Sequence, residues 1–280
     1  MLNPRLTLNC RGTLLSLQSP QVMGILNVTP DSFFDGGRYT RQDALLRQAE
    51  QMLKEGAAIL DIGGMSSRPG AELISVEEEL QRVVPAIEAL HQAFPEAILS
   101  IDTIRGRVAE EAVGAGAAIV NDISAGAFDE SMYPTVARLQ VPYILMHMKG
   151  SPKTMQDNPD YEDVVQTVLD FFIAEVGKLR ALDVHDIVLD PGFGFGKTVE
   201  HNYQLLKQMH LFKILDLPLL AGLSRKSMIN KVLKTKPEHA LNGTTALNMV
   251  ALQQGAKILR VHDVRPAMEA IKLWQQLEMV

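Results

Sequence analysis

Eight short apolar runs, each followed by a segment with helical periodicity, constrain this chain more than any other feature. The runs are Val22–Val28, Ala58–Ile62, Ala97–Ile101, Ala117–Val120, Val141–His147, Asp186–Leu189, Pro218–Leu223 and Ala256–Val261. Most are too short for independent helices. Several are nearly continuous in apolar character, as strands buried on both faces are. Between them, Arg41–Glu55 brings Leu45, Leu46, Ala49, Met52 and Leu53 to one face. Val76–Phe94 follows Ser75, with Glu78 three residues on as a capping-box match, and carries Leu80, Val83, Val84, Ile87 and Leu90. Arg107–Ala115, Tyr133–Gln140, Tyr161–Ala181, Glu200–Met209, His239–Gln254 and Arg265–Leu277 continue the alternation. Gly56, Gly116 and Gly255 each end a helical pattern, and each opens a Gly-Ala-(Ala/Lys)-Ile repeat that leads into a run. Strand alternating with helix implies parallel strands joined by right-handed crossovers. Eight units predict an α/β fold, a (β/α)8 TIM barrel, with a doubly wound open sheet as the alternative. Leu6–Asn9 and Leu14–Leu17 around Arg11-Gly12 predict a short N-terminal β-hairpin.

The 280 residues suit one such barrel, and no linker divides them, so a single domain over 1–280 is expected. A net charge of −6 argues against general nucleic-acid binding but leaves room for a local anion site. The lone Cys10 cannot form an internal disulfide, which favours a reducing compartment. The first residues hold no apolar core of signal-peptide length, and no run approaches the roughly 20 residues of a membrane helix. A cytoplasmic location without membrane association is expected.

Barrels of this kind place their chemistry at the carboxyl ends of the strands. Those ends read Asn27, Asp61, Asp102, Asn121 with Asp122, His147, Asp190, Ser224 with Arg225 and Lys226, and Arg260 with His262. For any one of them a helix cap or loop hydrogen bond is an equally good reading. The run Ile187 to Lys197 shows the ambiguity: an apolar strand ends on Asp190, Pro191 stops it, and glycine alternates with phenylalanine. Taken together, Asp102, Asn121 and Asp190 suit a heterocycle with several N–H donors and ring nitrogens. Arg225 and Lys226 follow the seventh strand and Arg260 ends the eighth, a frequent phosphate position, and Arg68 lies on a glycine-rich loop. Gly196-Lys197-Thr198 mimics a nucleotide loop, but Pro191 stands where that loop needs glycine. The seven histidines show no paired spacing for zinc. Met146 and Met148, around His147, read as core or pocket lining.

These segments resemble the dihydropteroate synthase family. Met23-Gly24-Ile25-Leu26-Asn27-Val28-Thr29-Pro30-Asp31-Ser32-Phe33 with Asp35-Gly36-Gly37 is similar to its first signature, and Asp61–Gly64 through Arg68-Pro69-Gly70 to its second. Ile101-Asp102-Thr103, Asn121-Asp122-Ile123, Leu145–Met148, Leu189–Lys197, Ser224–Ser227 and Arg260–Val264 follow in the family's order. The resemblance implies a transferase of folate biosynthesis that joins a dihydropterin diphosphate to 4-aminobenzoate. It assigns Asp102, Asn121, Asp190 and Lys226 to the pterin, with Met146, Phe195 and Gly222 lining its pocket. Asn27, Ser67, Arg68, Arg260 and His262 go to the diphosphate. Phe33, Ser67, Arg68, Pro69 and Ser227 go to 4-aminobenzoate. Asp102, Lys226, Arg260 and His262 carry catalysis, Mg2+ is expected on Asn27, and a sulfonamide-sensitive homodimer is implied.

Two positions depart from the commonest family pattern: Met65 stands where Glu is frequent and Ser67 where Thr is frequent. Serine keeps the hydroxyl and loses one methyl, on the order of 0.8 kcal/mol if buried. A pterin-binding methyltransferase and a non-catalytic pterin-binding barrel are the competing readings. The Ser-Arg-Lys segment argues against the first, and the presence of Asn27, Lys226, Arg260 and His262 against the second.

Overall fold

The computed structural model describes residues 6–29, 41–65, 73–150 and 159–279. It opens on the expected hairpin, β1 (Thr7–Cys10) and β2 (Thr13–Ser16), with Leu8 opposite Leu15. Arg11 and Gly12 both have positive φ, 55° and 92°, as a two-residue turn matched to strand twist requires. The eight apolar runs become β3 (Gln21–Asn27), β4 (Ile59–Gly63), β5 (Ile98–Asp102), β6 (Ile119–Asp122), β7 (Tyr143–Met146), β8 (Ile187–Asp190), β9 (Leu219–Ala221) and β10 (Ala256–Val261). They form a closed parallel barrel in which β10 pairs with both β3 and β9, so the open-sheet alternative is excluded.

Around it lie α1 (Arg41–Glu55), α2 (Val76–Ala93), α3 (Gly106–Ala115), α4 (Met132–Leu139), α5 (Val164–Ala181), α6 (Val199–Gln208), α7 (Ser227–Leu233), α8 (Leu241–Gln253) and α9 (Val264–Glu278). The stripe foreseen on α2 is buried at Val83, Ile87 and Leu90. Gly116 ends α3 at φ 130°, and a Cβ there would come within 2.7 Å of the His91 ring. Three expectations need correction. Ser75 Oγ accepts from the Glu78 amide, but Glu78 spends its carboxylate on Arg82, so that cap is one-sided. The helix expected from Tyr161 starts at Val164, because Asp163 accepts from the amides of Val165 and Gln166 and caps it there. The seven-residue α7 was not foreseen.

The strand period of two divides the core. One inward residue per strand, Met23, Ile59, Ile98, Ile119, Ile144, Val188, Leu220 and Ile258, forms an apolar layer near the amino end of the barrel. Leu8, Cys10, Leu15 and Leu17 of the hairpin pack against this layer and close that end. Outward residues such as Leu60, Ile62, Leu99, Ile101, Val120, Leu145 and Leu189 pack under the helices. Two residues further along the same strands, the inward row changes character: Asp61, Ser100, Asn121, Met146, Asp190, Gly222 and Arg260.

Candidate active site

Arg260 organises this upper row. From β10 its Nε donates to Asp61 Oδ2 at 2.6 Å, and its Nη2 donates to Asp102 Oδ2 at 2.6 Å. Asn121 Nδ2 donates to the same Asp61 oxygen at 3.0 Å. Asp61 is fully buried, and its other oxygen has no hydrogen-bond partner among the described residues. Two carboxylates therefore share one guanidinium in a low-dielectric interior. Burial lifts the Asp102 carboxyl to about 7, with the Arg260 charge opposing that rise and the Asp61 charge adding to it. Arg260 is itself pushed upward: burial works against its charge, but Asp61 and Asp102 outweigh it.

On the opposite wall, Asp190 ends β8 and accepts from the Gly192 amide at 2.7 Å. Burial raises its pKa, and the nearby Lys226 charge pulls it back. Lys226 donates to the Phe193 carbonyl and lies 4.7 Å above the centre of the Phe195 ring. Burial lowers this lysine to about 8, while Asp190 supports its charge. A Cβ at Gly222 would sit 3.7 Å from Lys226 Nζ and 3.9 Å from Asp190 Oδ2, so glycine leaves the space between them clear. Ile104, Ile123 and Met146, with Met65, Met148 and Phe195 against them, complete an apolar wall suited to a flat ring. Met65, one of the two departures noted in the sequence, thus lies on that wall.

At the mouth, Asn27 Oδ1 and Asp102 Oδ2 fall 3.3 and 3.9 Å from the point where a Gly63 Cβ would be. His262 is oriented by Ser224, whose hydroxyl lies 3.0 Å from its Nδ1 and accepts from its amide. Ser227 is the first residue of α7. Phe33, Ser67, Arg68 and Pro69 lie outside the described residues.

Several strand-end residues singled out in the sequence do not join the site. Asp122 and His147 follow inward residues directly, so they face outward. Asp122 accepts from Ser124, Gly126 and the Tyr143 hydroxyl. The His147 ring packs edge-on against Phe171 at 4.9 Å, and burial keeps it neutral, its pKa pushed down to about 2. Arg225, with φ 58°, turns away and makes a two-pronged ion pair with Asp263 at 2.7 and 3.0 Å. Asp61, named among the same strand ends, does join the site, as a positioning group for both Arg260 and Asn121. Lys197, rejected as a nucleotide-loop lysine, is buried beside the pocket.

At the carboxyl end of the barrel, paired acids, an amide, two buried cations and an apolar wall converge as a small-molecule site does. A family profile described as pterin binding enzyme matches residues 23–262. Over 265 residues the chain is 46% identical to the dihydropteroate synthase of Escherichia coli K12, covering 94% of this chain and 93% of the relative. A dihydropteroate synthase of Yersinia pestis, solved with a sulfonamide drug, superposes with a TM-score of 0.92 at 44% identity, over 98% of this chain and 100% of that one. One from Xanthomonas albilineans, solved with 7,8-dihydropteroate, gives 0.88 at 40% identity, over 98% and 99%. The chain belongs to the dihydropteroate synthase family of pterin binding enzymes. It is an enzyme of the transferase class.

Proposed function

We propose that this protein condenses (7,8-dihydropterin-6-yl)methyl diphosphate with 4-aminobenzoate, giving 7,8-dihydropteroate and diphosphate. The observation that carries this reading is the inward cluster of Asp102, Asn121, Asp190, Lys226 and Arg260 directly above an apolar layer. Asp102, Asn121, Asp190 and Lys226 take the polar edge of the pterin, and Met146, Phe195 and Gly222 bound its faces. Arg260, His262 and Asn27 take the diphosphate, joined from the loops by Ser67 and Arg68. Phe33, Ser67, Arg68, Pro69 and Ser227 receive 4-aminobenzoate.

In the reaction the bond between the pterin methylene and the diphosphate oxygen breaks, and its electron pair leaves with diphosphate. Arg260 and His262 stabilise the charge gathering there. Asp102 and Asp190 stabilise the positive charge left on the pterin. The aniline nitrogen forms the new bond and then loses one proton. It is nucleophilic when neutral, so a strong general base is not required.

Among the described residues no group of three or more His, Cys, Asp or Glu is placed to hold a metal. The Asn27 side-chain oxygen at the mouth, beside Asp102, would be the protein ligand of an ion otherwise carried by substrate oxygens and water. Bound there, Mg2+ would supply charge neutralisation to the leaving group.

The family resemblance supports a homodimer and a cytoplasmic location. No helix among the described residues is long and apolar enough to cross a membrane. Val232, Leu233, Leu241, Leu273 and Leu277 leave apolar surface on α7, α8 and α9, as a covered helix face would. The deciding assay supplies the dihydropterin diphosphate, labelled 4-aminobenzoate and Mg2+. Labelled dihydropteroate is the expected product. Folded protein that binds pterin yet makes none would favour a non-catalytic barrel.

A further inference from the structure

The Gly-Phe-Gly-Phe-Gly-Lys segment after β8 is not accounted for by the assignments above. Its last residue, Lys197, is 3% exposed, yet it carries a side-chain nitrogen that must be satisfied. That nitrogen donates to three main-chain carbonyls: Gly192 at 2.9 Å, Phe195 at 3.0 Å and His147 at 3.2 Å. The first two belong to its own loop, and the third lies just past the end of β7. Three acceptors call for the three hydrogens of an ammonium group; a neutral amine would leave one carbonyl unmet. Burial pushes the Lys197 pKa well below the ordinary lysine value and the Lys226 charge adds to that, while Asp190 and the three carbonyls favour the charged form.

The glycines explain how the loop reaches this position. A Cβ on Gly192 would fall 2.0 Å from the His147 carbonyl oxygen, and one on Gly196 would fall 2.4 Å from the Lys149 carbonyl oxygen. Backbone therefore lies directly on backbone, and the lysine fills the junction. Asn202 pins the other side, accepting from the Gly194 amide at 2.6 Å and donating to the Thr198 carbonyl. Everything the loop gives to the pocket is suspended from these ties: Asp190 through the Gly192 amide, Lys226 through the Phe193 carbonyl, and the Phe195 ring.

We propose that Lys197 is a positioning residue: its buried nitrogen locks the β8 loop to the end of β7 and so sets Asp190, Lys226 and Phe195 for the pterin. The proposal rests on the pterin reading of the pocket. It does not touch the 4-aminobenzoate side, which gives it a distinctive signature.

The test uses the whole protein carrying Lys197→Met. Binding of 6-hydroxymethylpterin, KM for each substrate, thermal unfolding and amide exchange of residues 192–197 are compared with the unaltered chain. Pterin affinity is expected to fall, and KM for the pterin diphosphate to rise, by about tenfold or more, because a misplacement of about an ångström costs that much. KM for 4-aminobenzoate should stay within about twofold, the remote-contact level. Amides 192–197 should exchange faster. A folded variant with unchanged pterin affinity overturns the proposal, whatever its Tm. Lys197→Gln serves if the methionine variant does not fold. Failure of both to fold overturns it too, since the lysine would then hold the barrel rather than the pocket. Unaltered protein that binds no pterin would instead sink the pterin reading, and the exchange rates alone would then decide the clamp.

Discussion

Ile59 and Asp61 stand two residues apart on β4 and face the same barrel interior, but they contribute to folding with opposite sign. Ile59 belongs to the lower layer, where eight apolar side chains pack together and against the hairpin beneath them. Each such burial stabilises by about 1.5–3 kcal/mol, and even the Cys10 thiol beside the layer is pushed up by burial to about 12 and stays protonated at neutral pH. Asp61 belongs to the upper layer, where carboxylates are stripped of water and held by one guanidinium. A buried ion pair of this kind is weak evidence for stability, because desolvation offsets most of the attraction. The lower layer builds the barrel, and the upper layer holds chemistry in place at some cost to it.

The sharpest way to break this comparison is Arg260→Met. Removing the shared cation leaves two buried acids uncompensated, and stability at pH 7 should drop by about 3–5 kcal/mol. The loss should be smaller at pH 5, where Asp102, with its pKa near 7, already carries a proton. Denaturant titrations at both pH values check it; equal losses would mean that Asp102 does not change its charge between them. For the lower layer, Ile144→Ala should cost about 2–5 kcal/mol through the cavity it opens. KM for the pterin diphosphate should hold steady, and a raised KM would show that the two layers are coupled.

A subtler probe is Asp102→Asn. The folded carboxyl has its pKa raised to about 7 from an ordinary 3.8, so between those values the folded chain keeps a proton that the unfolded chain has lost. Stability of the unaltered protein therefore falls as pH rises through that window, by up to a few kcal/mol. The asparagine variant should lose that slope along with most of its pterin affinity. Smallest in energy is the pH profile of kcat/KM for the pterin diphosphate. It should rise as Asp102 ionises near 7 and decline as Lys226 loses its proton near 8. A plateau running well beyond pH 9 would mean Lys226 is not the cation that matters.

Much of the barrel was legible because its signal is repetitive. Eight apolar runs and three Gly-Ala repeats outweigh any local ambiguity, and eight of the nine helices among the described residues were placed within a few residues. What failed was local. Asp163 takes the cap that cut α5 short, and α7 has too few residues to display a stripe. In the site, the strand ends gave the residue types but not their direction. Asn121 and Asp122, or Met146 and His147, are equal candidates in sequence; only the pleat, fixed by pairing to neighbouring strands, sends one inward and its successor outward. Arg225 was misleading for a similar reason, since a left-handed backbone turns it toward Asp263. Lys197 could not be read locally, because one of its three acceptors, the His147 carbonyl, lies 50 residues earlier in the chain.

The hairpin under the barrel has a consequence for traffic. Leu8, Cys10, Leu15 and Leu17 stopper the amino end of the tube, so among the described residues entry is left to its carboxyl end. Molecules that use it must queue as in a stack, last in and first out. If two substrates stack there as proposed, the one against Asp190 and Asn121 arrives before its partner and leaves after it. Occupancy of the upper berth alone would block the lower one, so a compound mimicking only the outer substrate could imprison the inner one as well as exclude its rival.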